Sequence, residues 1–83
     1  MNEKEEDKIF LQKKANAYLV LGEKVHISYK SGYWKRGIIK EVNEDFFLLD
    51  ESLEGLLPVF YKEIVRIEKY VMKKEGVEDG TNV

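Results

Sequence analysis

The chain has 83 residues, of which 43% are apolar and 36% charged, and its formal net charge is −2. This length fits one domain with a thin core, because so short a chain buries only about 60% of the surface that its unfolded form exposes. The absence of cysteine excludes disulfides, thiolate metal ligands and a cysteine nucleophile.

The first predicted element is a helix over residues 3–19. Its apolar positions recur at spacings of three and four, which places them on one stripe. The stripe consists of Leu11, Ala15, Tyr18 and Leu19. Gly22 follows the last of them and is predicted to end the helix.

After Gly22 the apolar pattern changes from helical to alternating, which predicts strands. The five predicted strands cover residues 25–30, 33–42, 46–49, 56–61 and 64–70. Ser31-Gly32 is predicted to turn the chain between the first two strands. Gly37 interrupts the second strand, where a glycine often marks a sharp bend at a barrel corner.

Two further strand features carry positional information. Residues 46–49 show no alternation, which predicts a third strand buried on both faces. Pro58 lies near the start of the fourth strand, and a proline there favours an edge position or a strand start because it has no N–H to donate.

Short strands joined by tight turns predict an antiparallel sheet that closes on itself to hide its edges. The expected fold is therefore all-β with a small α element: a strongly bent five-stranded barrel preceded by an N-terminal helix. Residues 1–22 are expected to form the helix, 23–70 the barrel and 71–83 a flexible tail with little that could pack.

The charges are segregated along the chain although they nearly balance. Residues 24–40 contain five basic side chains and no acid, whereas residues 41–54 contain six acids and no base. One interpretation is a solvated surface with accidental blocks, and the other is a barrel with one basic and one acidic face.

Residues 8–70 resemble the Sm-like family, and its bacterial Hfq branch in particular. Gly37-Ile38-Ile39 matches the family's glycine and aliphatic residue in a bent second strand. The segment VNEDFFLL, residues 42–49, matches the passage from an apolar residue through a turn into the third strand. The segment VFYKEIVRI, residues 59–67, matches the motif that links strands four and five.

The resemblance implies a Src-homology-3-like barrel that assembles into rings through the fourth and fifth strands and binds single-stranded RNA around a pore. The family's base-recognition residues are not retained. Asn43 stands in place of an aspartate, Phe47 in place of an asparagine, and Phe60-Tyr61 in place of Arg-Gly. Tyr61-Lys62 looks like the Tyr-Lys-His of the Hfq branch, displaced by one residue.

Aromatic residues interleaved with basic ones point to nucleic acid, because rings stack on unpaired bases while cations contact phosphates. The candidate RNA-binding residues are Trp34, Lys35, Arg36, Asn43, Tyr61 and Lys62. The alternative is that these rings pack in the barrel, against the helix or at a subunit contact. The candidate oligomer-interface residues, on the two expected edge strands, are Val59, Phe60, Ile64 and Val65.

No catalytic constellation is present in the sequence. His26 is the only histidine, and strand parity places it on the face opposite Val25 and Ile27. One histidine with scattered carboxylates lacks metal-ligand spacing, so we expect no enzyme, metal, cofactor or small-molecule substrate.

Two functional hypotheses remain. The first is an Sm-like homo-oligomeric ring that binds single-stranded RNA as a riboregulatory scaffold. The second is a protein-interaction barrel that has lost RNA binding. No apolar run approaches the roughly 20 residues that span a bilayer, and the charged start is not a signal peptide, so the expected location is the cytoplasm, with no membrane partner.

Overall fold

The computed structural model of the protein describes residues 3–71, with side chains from residue 6 onward. It comprises one helix, five strands and one 3-10 turn, in the order α1 (Glu3–Leu21), β1 (Lys24–Tyr29), β2 (Trp34–Val42), β3 (Phe46–Glu51), β4 (Gly55–Phe60), η1 (Tyr61–Glu63) and β5 (Ile64–Lys69). The predicted tail, residues 71–83, lies outside the described residues except for Val71.

The helix α1 ends where the sequence predicted, within two residues. Gly22 takes a positive φ of 68°, a conformation that glycine adopts without steric cost. Its N–H donates to the Tyr18 carbonyl oxygen at 2.8 Å, which satisfies one of the last carbonyls of the helix. Leu11 and Ala15 are buried, so this side of α1 covers the open part of the sheet.

The five strands form one antiparallel sheet in the order β4-β3-β2-β1-β5. Successive strands from β1 to β4 are neighbours, and β5 returns to pair with β1. Core residues on both edge strands, such as Val59 and Ile67, belong to one buried cluster with residues of the central strands. The sheet must therefore curl around that cluster, which confirms the predicted bent five-stranded architecture.

Gly37 lies where β2 and β3 approach each other closely. It pairs with Val25 on one side and Glu51 on the other. A Cβ atom there would lie 2.9 Å from the Asp50 carbonyl carbon and 3.1 Å from Leu49 Cγ. The absence of a side chain is thus what lets β3 approach β2 so closely, whereas the register shift of β2 lies further along, between Ile39 and Glu41.

The third strand differs from its prediction. Phe47 and Leu49 are fully buried, whereas Phe46 and Leu48 are only partly covered. The strand therefore alternates, and its apolar outer side chains were misread as evidence for burial on both faces. The prediction for Pro58 is confirmed, because β4 pairs only with β3 and forms an edge.

The turn between β1 and β2 has three residues rather than two. The Tyr29 N–H donates to the Tyr33 carbonyl oxygen at 2.8 Å, and the Gly32 N–H donates to the Tyr29 carbonyl oxygen at 3.0 Å. Gly32 has a φ of 98°, as expected for the residue that follows a type I turn in a three-residue hairpin. This closure sets the β1–β2 register, and the register determines which side chains meet on the outer face.

Candidate nucleic-acid interface

The most distinctive surface of the described chain is the outer face of β1 and β2. The register pairs His26 with Arg36 and Ser28 with Trp34, so these side chains project from the same face. Tyr70 joins them at the end of β5, where its N–H donates to the Lys24 carbonyl oxygen at 2.9 Å. We call this cluster the Trp34 surface; its members are Lys24, His26, Trp34, Arg36 and Tyr70.

Two rings of the Trp34 surface are stacked, and Arg36 lies near the rings of Trp34 and Tyr70. The His26 and Trp34 rings lie 5.1 Å apart, centroid to centroid, with their planes 13° from parallel. Arg36 Cζ lies 5.8 Å from the Trp34 centroid and 5.3 Å from the Tyr70 centroid. Trp34 nevertheless remains 54% exposed, so much of its indole is open to a ligand.

The cations on this surface are held by aromatic groups. Arg36 Nη1 donates a hydrogen bond to Tyr70 Oη at 3.0 Å. Lys24 Nζ lies 5.5 Å from the Tyr70 centroid. Such cation–π contacts orient a charge without neutralising it, so both cations stay available to an anion.

An exposed indole beside oriented cations has a defined chemical capability. Each unpaired base has a π-face that can stack on an aromatic ring, while guanidinium and ammonium groups bind the phosphates between bases. No group of acidic, histidine or cysteine residues suited to a metal ion occurs in the described range 3–71.

The six predicted RNA-binding residues do not lie together. Trp34 and Arg36 share the Trp34 surface, but Lys35 projects to the opposite side of β2. There its ammonium pairs with Glu54 Oε1 at 3.3 Å, which ties the β3–β4 loop to β2. Alternation along the strand separates Lys35 from its two neighbours.

Asn43 and Tyr61 are hydrogen-bonded to each other near the end of β2 that lies opposite Trp34. Tyr61 is only 2% exposed, and its ring packs on Phe47 with centroids 5.8 Å apart. Its hydroxyl donates to the Asn43 carbonyl oxygen at 2.9 Å, and Gln12 Nε2 donates to the same oxygen at 3.2 Å. Burial, with a smaller contribution from Asp45, raises the pKa of Tyr61 to about 12. Tyr61 thus offers no ring face to a ligand in the single chain.

Lys62 follows Tyr61 and is exposed beside a groove of about 780 Å³ between α1 and η1. Phe10 and Leu11 line the groove from the helix, and Phe60 and Val65 line it from the sheet edges. At the mouth of the groove Lys8 Nζ pairs with Asp45 Oδ1 at 2.6 Å, linking the helix to the β2–β3 turn.

The four predicted interface residues divide into two pairs. Val59 and Ile64 are almost fully buried in the core of their own chain. Phe60 and Val65 are 37% and 54% exposed, and they lie on β4 and β5, the two edges of the sheet. Only the second pair has side-chain surface to offer a neighbouring subunit.

Comparison with solved structures decides the fold. A 1.55 Å crystal structure of the pleiotropic translational regulator Hfq matches with a TM-score of 0.63, covering 71% of this chain and 97% of that one at 14% sequence identity. The chain has a divergent Sm-like fold. No family model and no curated protein matches the sequence, so the likeness is carried by the arrangement of the strands.

The segments that resemble the family lie in the sheet. Gly37 lies in β2, and the segment 59–67 runs from β4 through η1 into β5. At 14% identity the match concerns the backbone path.

Sequence reasoning missed three members of the Trp34 surface, Lys24, His26 and Tyr70. Parity along β1 correctly placed His26 on the face away from Val25 and Ile27. A three-residue hairpin closed by Tyr29 and Tyr33 would have paired His26 with Arg36 and so predicted the cluster. Tyr70 lacked a comparable signal, because the pairing of β5 with β1 is a long-range choice.

No helix within residues 3–71 is both long enough and apolar enough to cross a membrane.

Proposed function

We propose that this chain assembles into a homo-oligomeric ring in the cytoplasm and binds single-stranded RNA as a non-catalytic scaffold. The observation that carries the RNA part is the Trp34 surface, an exposed indole flanked by two oriented cations. The Sm-like fold supports the ring, and Hfq, which shares it, is a translational regulator. A role of that kind would bring this chain into contact with RNA.

The charge distribution supports binding despite the acidic balance of the chain. Lys24 and Arg36 belong to the basic block of residues 24–40, while the acids of residues 41–54 lie on the end of β2, the β2–β3 turn, β3 and the loop after it. A polyanion can therefore approach the outer face of β1 and β2 over locally positive surface. In a ring, identical surfaces repeat and one strand can engage several of them.

Two unpaired sheet edges support the ring. Within residues 3–71, β4 and β5 each pair with one neighbouring strand, which leaves backbone groups available for a strand of another copy. Because the two edges differ, joining β4 of one copy to β5 of the next is a heterologous contact, and such contacts close into rings when the rotation permits. Phe60 and Val65 would be covered at that contact.

RNA binding is tested by fluorescence anisotropy with labelled oligo(U) and oligo(A) at low salt, where phosphate contacts are strongest. Trp34→Ala is expected to weaken binding about 5- to 150-fold, since base stacking contributes about 1–3 kcal/mol. Phe10→Ala is the matched control, because Phe10 is 62% exposed and also carries a cation, Lys14 Nζ, at 5.6 Å. Equal affinities of the two variants, or no binding at all, would contradict the proposal.

A protein-interaction barrel is the second candidate, and the outer face of β3 and β4 favours it. Cross-strand pairs there join Phe46 to Phe60 and Leu48 to Pro58, and Leu56 is 59% exposed beside them. An apolar strip on an edge strand is suited to an extended peptide. Loss of a protein partner on Leu56→Lys, with RNA binding absent in the parent chain, would favour this candidate over the first.

A further inference from the structure

We propose that His26 makes RNA binding at the Trp34 surface depend on protons, so that acidification tightens it. This inference rests on the proposed function, since it concerns the regulation of the same site. Histidine is the side chain whose charge ordinarily changes between about pH 5 and 8. Here it is stacked on the ring that would receive a base.

The geometry couples the imidazole directly to the indole. The two rings are nearly parallel, with their planes 13° apart, at a centroid distance of 5.1 Å. A protonated imidazole is attracted to the face of an indole, whereas a neutral one has only the weaker ring–ring attraction. Protonation thus fixes Trp34 more firmly in the stacked position and places a second cation beside Arg36.

The groups that face His26 set the balance of charge. From β2 its cross-strand partner is Arg36, and from β5 its partner is Glu68. Lys24 precedes it on the same face of β1, with the Tyr70 phenol beyond. Arg66 lies opposite Ser28, one pair further along β5. Three cations thus lie around the site. The nearby carboxylates are Glu68, which is exposed, and Glu51, which lies close enough to Arg36 for their charges to interact.

The expected direction follows from this inventory. A protonated His26 adds one positive charge to a surface that is already basic. This charge should attract the phosphates of a bound RNA. A single added charge close to a phosphate tightens binding about fivefold in water-like surroundings. It should also steepen the salt dependence, by about 0.7 in the slope of log affinity against log salt for each additional phosphate that the surface neutralises on a single strand.

The chain offers an unusually direct test, because it contains one histidine and one tryptophan. A protonated imidazole quenches the emission of an indole that it contacts. The fluorescence of Trp34 should therefore report protonation of the stacked His26 ring in the absence of RNA. We expect emission to fall as the pH decreases from about 8 to 5. The same range is then used for anisotropy titration with oligo(U), since uridine has no group that titrates there.

Two substitutions separate charge from packing. His26→Gln keeps a polar planar group but cannot be protonated, so neither its emission nor its affinity should change between about pH 8 and 5. His26→Arg carries a fixed charge and should bind about fivefold more tightly than the parent at about pH 8, with no further increase on acidification.

The outcomes distinguish this inference from the proposed function. Oligo(U) that binds with equal affinity across the range, or a pH response that persists in His26→Gln, overturns the inference alone. Oligo(U) that fails to bind at any pH at low salt overturns both. Emission that does not change with pH shows that the stack does not sense protons and likewise overturns the inference.

Discussion

Replacing Gly37 by alanine tests whether the curl of the sheet depends on close approach of β2 and β3. The new methyl group would lie 2.9 Å from the Asp50 carbonyl carbon, within the distance at which something must shift. The obstacle is backbone rather than a flexible side-chain end. The β3 strand must therefore move away from β2, and Leu49 on the buried side must move with it.

The magnitude follows from two opposing terms. Overpacking of a well-packed interior costs about 1–3 kcal/mol, while replacing glycine by alanine restricts the unfolded chain and returns about 0.4–1 kcal/mol. The two ranges leave a net loss in free energy of unfolding of about 0–2.6 kcal/mol, with about 1.3 kcal/mol at mid-range. For a domain of this size each kcal/mol lowers Tm by about 4–8 °C, so the mid-range value predicts a decrease of roughly 5–10 °C in thermal unfolding followed by circular dichroism.

Gly32 provides the matched control because its constraint is different in kind. A Cβ atom at Gly32 meets nothing within 4 Å, but its φ of 98° is costly for most side chains. Asparagine tolerates positive φ better than alanine, so Gly32→Asn should be more stable than Gly32→Ala. At Gly37 the order should reverse, since asparagine adds more volume. The same order at both positions, or a stable Gly37→Ala, would refute the steric reasoning.

Three further predictions concern the Tyr61–Asn43 hydrogen bond, the β3–β4 loop and the edge strands β4 and β5. Tyr61→Phe removes the hydrogen bond to Asn43 and should cost about 1 kcal/mol in chemical denaturation. Burial raises the pKa of Tyr61 to about 12, above its ordinary 10.0. The stability that the neutral phenol contributes is therefore present below pH 10.0 and is lost as pH rises toward 12, and Tyr61→Phe should not show this loss. The same alkaline stability profile in both proteins would contradict the burial of this hydroxyl. Glu51 Oε1 accepts hydrogen bonds from the backbone N–H groups of Glu54 at 2.6 Å and Leu53 at 2.8 Å, and the bond from Glu54 is the main cause of its lowered pKa. Glu51→Gln should speed hydrogen exchange of both amides, and acid should do so only below the ordinary carboxyl range. Unaltered exchange would contradict these two hydrogen bonds. Val65→Glu and Phe60→Lys should each reduce the solution mass measured by light scattering from that of a ring to that of one chain, and a ring that persists in both would move the contact elsewhere.

The sequence predicted the elements well because their signals are local. The alternation of the first strand, the glycine within β2 and the proline on β4 each report on a few neighbouring residues, and the structure has β1, β2 and β4 at these places. The errors arose where a side chain's surroundings come from distant segments. Phe46 and Leu48 are apolar yet only half-buried, and their partners Phe60 and Pro58 arrive from the next strand.

The candidate site illustrates the same limit. Trp34 and Arg36 were found because aromatic and basic residues are adjacent in sequence. Tyr61 has the same local pattern with Lys62, but an α1 side chain and the β2–β3 turn enclose it. His26 was placed on the correct face, yet its stacking on Trp34 depends on the register between β1 and β2. The length of the loop between these strands sets that register, and a change of one residue would alter it.

The position of β5 beside β1 has a consequence for how the chain acquires its fold. Strands β1 to β4 pair with sequence neighbours, so they can form as successive hairpins, but β5 must return across the whole meander to meet β1. Val25 pairs with Lys69, and Ile64 and Ile67 complete the buried cluster only at that moment. Bringing together two strands so distant in sequence costs conformational entropy before their contacts can stabilise the fold. The meander therefore keeps part of its interior exposed until β5 pairs with β1, and we expect this partly folded state to be the one from which the chain aggregates most readily.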